Sequence, residues 1–187
     1  MSLLQRLKIE TAKAHERIEE AFDLEAITRS IPAYRGLLGR LYGFHAVWEP
    51  RAGLVHAEPE FFRQRRKVAF LETDLRDLGM SSDGIARLPL CNPTVTMRTP
   101  AEAWGSMYVI EGSTLGGVII ARHVERRLGL SRHSGCLYFR CYGAEVRPMW
   151  SSFGTRLVAG CGAADHDAVV AAARRTFEVL RIWLCGR

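Results

Sequence analysis

Three side chains near the start of the chain have types and spacing that suit chemistry. His15 sits about 50° off the centre of an apolar stripe when residues are set at 100° intervals, so its imidazole lies at the edge of a core. Lys8 and Glu19 share that flank. Lys8 is two turns earlier, roughly 10 Å along the axis at about 1.5 Å per residue. This arrangement suits an iron-bound imidazole with the anionic edge of a cofactor nearby. Glu19, one turn on, can orient the second ring nitrogen or hold a neighbouring helix. The plain alternative is a half-buried packing histidine, the usual fate of a single histidine on an amphipathic helix.

A second group is glycine-rich. Gly105, Gly112 and Gly116 fall within about 40° of one another on a helical wheel, and Gly117 follows. An interior helix glycine costs roughly 0.5–1 kcal/mol against alanine, so something must approach this bare backbone closely. Either another helix packs there through small residues, or a flat ligand lies against the face. Glu111, Ser113 and Thr114 add polar atoms to the same stretch. A third group combines Phe139-Arg140-Cys141-Tyr142-Gly143 with Arg147, Trp150, Phe153 and Arg156. The aromatics read as core; the arginines read as a solvated face able to bind carboxylates.

The elements that must position these groups are helical. Leu4, Leu7, Thr11, Ala14, Ile18 and Phe22 form one stripe, predicting a helix over 2–22. Ser30 as N-cap with Pro32 in the first turn starts a second, which Pro50 ends or kinks. A third is expected from about Pro59 to Leu78, stopping at Gly79. Pro89, Asn92 and Pro93 make 81–98 a loop with one short helix. Thr99-Pro100-Ala101-Glu102 is a capping box, and the helix it opens should stop at Gly129. A further helix is predicted over 144–159. Asp165 is expected to cap the last one, which runs to Cys185 with Val169, Val170, Ala173, Phe177 and Leu180 inward. Strand signals are weak, so the expectation is an all-α domain spanning 1–187, built of six to eight helices.

Composition excludes several classes. The chain has 187 residues, 48% hydrophobic and 25% charged, an ordinary globular balance. No run approaches a membrane span, and the charged start, MSLLQRLKIETAKAHE, has no signal-peptide core. The five cysteines show no CxxC, which fits reduced thiols in a cytoplasm. A net charge of +6 favours anionic partners. The basic run Arg63, Arg65, Arg66 and Lys67 lacks a nucleic-acid module and reads better as a docking surface for an acidic protein. Hydrolase, P-loop and HExxH motifs do not occur.

In combination, Leu7-Lys8-Ile9-Glu10-Thr11-Ala12-Lys13-Ala14-His15 and Tyr108-Val109-Ile110-Glu111-Gly112-Ser113-Thr114-Leu115-Gly116-Gly117 resemble the heme oxygenase family, in particular its branch associated with bacteriophytochromes. The later Phe139–Gly143 and Trp150-Ser151-Ser152-Phe153 segments agree. The resemblance implies heme held between the first helix and a kinked glycine-rich helix. It implies His15 as the iron ligand, Glu19 as its support, and Lys8 with Arg147 or Arg156 at the propionates. It implies Gly112 and Gly116 against the distal face, and ring opening to biliverdin, carbon monoxide and ferrous iron. Dioxygen, an acidic electron donor such as a ferredoxin or a reductase, and a bacteriophytochrome receiving biliverdin are the implied partners. Ser113 departs from the aspartate of better-known members, which orders proton-delivering water. Two alternatives accompany this reading: a heme-binding or storage protein of the same fold, and a helical small-ligand enzyme without heme.

Overall fold

Ser2 opens the first helix: its hydroxyl accepts from the Gln5 N–H, and the Gln5 side chain accepts from the Ser2 N–H. The computed structural model describes residues 1–92 and 95–186; the loop signal Pro93 lies outside them. Helix α1 spans Leu3–Ala21, α2 Leu24–Ile27, α3 Ile31–Val55, α4 Pro59–Arg63, α5 Val68–Asp77 and α6 Ser82–Ala86. Then come α7 (Pro100–Leu128), short 3-10 turns at Tyr138–Arg140 and Gly143–Glu145, α8 (Val146–Gly160), a 3-10 turn at Ala163–Asp165, and α9 (His166–Cys185). The architecture is all-α, with no strand among the described residues. Six of these helices run ten residues or more; α2, α4 and α6 are single-turn pieces of four or five.

α9 is the central support. It packs along α7 and α1 and also touches α3. Leu7, Phe44, Trp48, Trp104, Phe153, Val169 and Phe177 join α1, α3, α7, α8 and α9 in one core; Tyr34, Leu37, Leu71, Leu75, Val124 and Phe139 fill a second under the far end of α7. Each such side chain, fully buried, stabilises by about 1.5–3 kcal/mol. Among the described residues no cysteine forms a disulfide, and no helix is long and apolar enough to cross a membrane.

Start signals held where local chemistry decides. Ser30 and Thr99 cap α3 and α7 through their hydroxyls, and Gly129 ends α7 at φ +68°. The reciprocal partner of Thr99's box differs: the Glu102 carboxylate accepts from the Arg98 N–H. Three expectations are corrected. Of the two readings of Pro50, an end to α3 or a kink in it, the end does not occur: α3 continues to Val55, with Pro50 exposed and nearby Glu49 and Ala52 buried. The helix expected over 59–78 breaks at 64–67, because the Glu49 carboxylate accepts from the Lys67 and Val68 N–H groups and so caps α5 from another helix. Asp165 makes no side-chain cap on α9; its carboxylate instead accepts from Gly162 N–H at 2.9 Å.

Candidate functional site

On α1 the His15 side chain is 55% exposed, with Nδ1 3.4 Å from a Glu19 carboxylate oxygen. Its ring meets Phe177 of α9 edge-on, centroids 5.6 Å apart at 84°. One nitrogen thus faces a carboxylate and one flank rests on the core. Nε2 has no protein partner among the described residues. This is the arrangement a neutral imidazole needs in order to offer its free lone pair to a metal. Lys8 is exposed and makes no ion pair within the described residues.

α7 comes near α1 where Thr11 lies close enough to act on the Tyr108 hydroxyl. His15 lies one turn beyond Thr11, and Gly112 one turn beyond Tyr108. At this point the glycines divide. A Cβ built on Gly105 would lie 2.0 Å from the Val169 carbonyl oxygen, so here the backbones of α7 and α9 touch. A Cβ on Gly112 would meet only the Trp150 ring, at 3.6 Å; on Gly116 it would meet nothing within 4 Å. Gly117 faces Phe139. The glycine face therefore divides: another helix packs at Gly105, the Trp150 ring alone stands over Gly112, and Gly116 is bare among the described residues. No atom of α1 comes within 4 Å of either open position, although α9 supports both helices. The Ser113 hydroxyl turns back to donate to the Ile110 carbonyl at 2.8 Å, leaving only lone pairs outward.

The candidate arginines lie apart. Arg147 is exposed and has no partner among the described residues; it lies one turn before Trp150, whose ring covers Gly112 and packs on Tyr108 at 5.5 Å and Phe153 at 5.6 Å. Arg156 pairs with Glu58 at 3.1 Å, toward α4. Trp150 and Phe177 gave no functional signal in sequence, because an aromatic on a helix reads as core whichever cavity it borders.

Sequence reasoning also missed a buried charge cluster behind α7. Glu111, 1% exposed, accepts from Arg65 Nη1 at 2.9 Å and from the Tyr142 hydroxyl at 2.8 Å, with Lys67 Nζ at 3.5 Å. Lys67 also donates to the Tyr142 hydroxyl and lies 3.8 Å from that ring's centroid. Farther along, Glu49 accepts from Arg66 at 3.0 Å and stands 3.5 Å from His45 Nδ1, while His45 Nε2 pairs with Tyr138 at 3.1 Å. Burial drives His45 toward its neutral form despite Glu49. Burial also works against the Glu49 carboxylate, but His45, the Lys67 N–H and Arg66 outweigh it and hold that group below its ordinary range. The basic run is thus not one docking surface: Arg65 and Lys67 point inward, and only Arg63 and Arg66 lie largely outside. The available signal was Glu111 itself, a charge on the inner side of an otherwise apolar stretch.

Residues 1–185 match the family described as Heme oxygenase. A curated heme oxygenase of Xanthomonas campestris pv. campestris is 41% identical over 66 residues, 35% of this chain and 36% of that relative, so the match spans about a third of its length. Three solved structures are similar in fold. The heme oxygenase of Leptospira interrogans superposes with a TM-score of 0.77 at 17% identity, covering all of both chains. Heme oxygenase 2 of Chlamydomonas reinhardtii, solved without heme, gives 0.78 at 18%, covering 98% of this chain and 96% of its own. Heme oxygenase-1 of Synechocystis sp. PCC6803, solved in complex with heme, gives 0.74 at 17%, covering 98% and 91%.

Proposed function

Since the chain belongs to the heme oxygenase family, we propose that it opens heme oxidatively to biliverdin, carbon monoxide and ferrous iron, drawing on dioxygen and an acidic electron-donor protein. The observation that carries this reading is the pairing of His15, with Glu19 on Nδ1 and no partner on Nε2 among the described residues, and a helix face that is bare at Gly116 and covered at Gly112 by the Trp150 ring alone. Among the described residues no three His, Cys, Asp or Glu side chains cluster to hold a bare metal ion. A lone imidazole suits iron that brings its other ligands with it, as heme does.

When bound, heme supplies both the iron that activates oxygen and the carbon skeleton that is cut. The protein's part is to place it. His15 would hold the iron, and Glu19 would fix the ring orientation and raise its basicity. Lys8 and Arg147, neither of which has a partner among the described residues, would meet the propionates; Arg156 would join them only by leaving Glu58. Gly116, and Gly112 beneath the Trp150 ring, would let the heme approach the α7 backbone. Ser113, its proton committed to Ile110, can hold a water there as an acceptor.

His15→Ala tests the assignment. The variant should lose the histidine-ligated absorption spectrum and ring opening, and added imidazole should restore part of both, while the melting temperature stays near the parent's because the side chain is half exposed. An unchanged hemin spectrum in this variant would remove His15 from the site. A parent that takes up hemin with one-to-one stoichiometry but never opens it, even with a reductant, would instead be a storage protein.

A further inference from the structure

A helix face made of glycines has no side chains with which to hold its own rotation. Something on another side of α7 must fix the direction in which Gly112 and Gly116 look. The only charged side chain of α7 that is buried, among the described residues, is Glu111, adjacent to Gly112 in sequence. Its carboxylate is gripped from two segments: Arg65 and Lys67 from the linker between α4 and α5, and Tyr142 from the turn before α8. Arg65 continues the link, since its other terminal nitrogen donates to the Met149 carbonyl at 3.4 Å, and the next residue, Trp150, is the one whose ring covers Gly112. One guanidinium therefore ties the turn of α7 that carries Gly112 to the turn of α8 that covers it.

We propose that Glu111 and Arg65 are positioning residues that fix the rotation of the glycine face and its spacing from Trp150, and so the in-plane seat of the heme. The inference rests on the heme reading above. Stability alone does not account for the cluster. Taking ions out of water is costly, and replacing a buried ion pair by well-packed apolar groups is often neutral or stabilising. What charge adds is direction: a bidentate acceptor met by donors from fixed places admits one helix rotation, whereas an apolar patch admits several.

The test compares the parent with Glu111→Gln, Glu111→Leu and the double variant Arg65→Met/Glu111→Leu. In heme-free protein, amide hydrogen exchange is followed across 108–118 of α7. In hemin-loaded protein, the absorption spectrum and the biliverdin isomer distribution are recorded beside the thermal midpoint. Glu111→Gln keeps the shape but turns one of the two acceptor oxygens that serve Tyr142 and Arg65 into an NH2 donor, so it should fall between the parent and Glu111→Leu in exchange and isomers. Glu111→Leu should exchange faster over 112–117, by about tenfold, and shift the isomer distribution. The double variant should recover the thermal midpoint yet keep the faster exchange and the shifted isomers. A double variant with parental exchange and isomers would overturn the proposal, as would Glu111→Leu behaving as the parent does. If Glu111→Leu fails to fold, the double variant and Glu111→Gln decide. A parent that binds no hemin would sink the heme reading, and the exchange measurement would still judge the clamp.

Discussion

Gly105 and Gly116 are the same residue on the same face of one helix, about three turns apart, yet their surroundings are opposite. At Gly105 the backbone of α9 is so close that a methyl group would lie 2.0 Å from a carbonyl oxygen; at Gly116 it would meet nothing. Each glycine costs the helix roughly 0.5–1 kcal/mol relative to alanine. At Gly105 the close approach of α9 offsets that cost within the protein itself. At Gly116 nothing among the described residues does, and the proposed heme would be what offsets it. Wheel position alone cannot separate the two cases, because it reports which way a residue points and not what stands opposite.

The largest effect expected from this contrast is at the packed end. Gly105→Ala forces α7 and α9 apart, because the obstructing atoms belong to a helix backbone and cannot swing away as a side chain can. Overpacking of this kind should cost about 3 kcal/mol. For a chain of this size that lowers the melting temperature by about 6–12 °C, at about 2–4 °C per kcal/mol. Circular dichroism melts would show it, with hemin affinity of the folded protein unchanged. A melting temperature within a degree of the parent's would show that α9 does not lie where it is described.

The packed end also has its own pH signature. His56, at the end of α3, lies against Trp104 with centroids 4.4 Å apart and against Phe62 at 5.5 Å, and burial lowers its pKa to about 4. Its ordinary value is 6.5, so between 6.5 and 4 the unfolded chain binds a proton that the native protein refuses. His56 thus leaves stability intact above pH 6.5 and removes it as pH falls, by up to about 1.4 kcal/mol per pH unit. Asp74 opposes this over part of the range. Burial raises its pKa from 3.8 to about 6 against the N–H groups of Tyr138 and Leu137, so the native state gains stability as pH falls through that window. His56→Phe removes one of the two contributions, and urea unfolding at pH 7, 5.5 and 4.5 should then show a shallower loss toward acid. Parallel curves for parent and variant would refute the assignment.

How much of this was legible in sequence follows from where the deciding contacts lie. The cap of α3 at Ser30 and the stop of α7 at Gly129 are local, and both were readable from neighbouring residues. The break after α4 was not: the carboxylate that caps α5 belongs to Glu49, 18 positions away on α3. Pro50 misled because its rule concerns a lost hydrogen bond, and the packing on either side of it carries α3 onward to Val55. In the candidate site, His15 with Glu19 was readable because an i,i+4 pair is set by helix geometry. The inward turn of Arg65 and Lys67 was hidden, since their partner Glu111 is contributed by a distant helix.

The smallest effect, and the one of opposite sign, belongs to the open end. Gly116→Ala places a methyl group where no atom lies within 4 Å and gives the helix a better helix-forming residue. It should stabilise the free protein by about 0.5–1 kcal/mol, a rise in melting temperature of about 1–4 °C. The same methyl group stands on the face proposed to meet heme, so hemin uptake should weaken and ring opening should slow even as the protein becomes more stable. Gly112→Leu carries the argument further. Its larger side chain presses on Trp150, 3.6 Å from the first added carbon, and fills the same face, so ring opening should fall far more than stability does. Stability and chemistry moving in opposite directions at Gly116 cannot come from a packing role, in which stability falls while the hemin affinity of the folded protein is unchanged, as at Gly105. If Gly116→Ala lowers the melting temperature of the heme-free protein, the face is covered in solution. Gly105 and Gly116 would then be two cases of the same packing, and the open backbone would no longer mark a site.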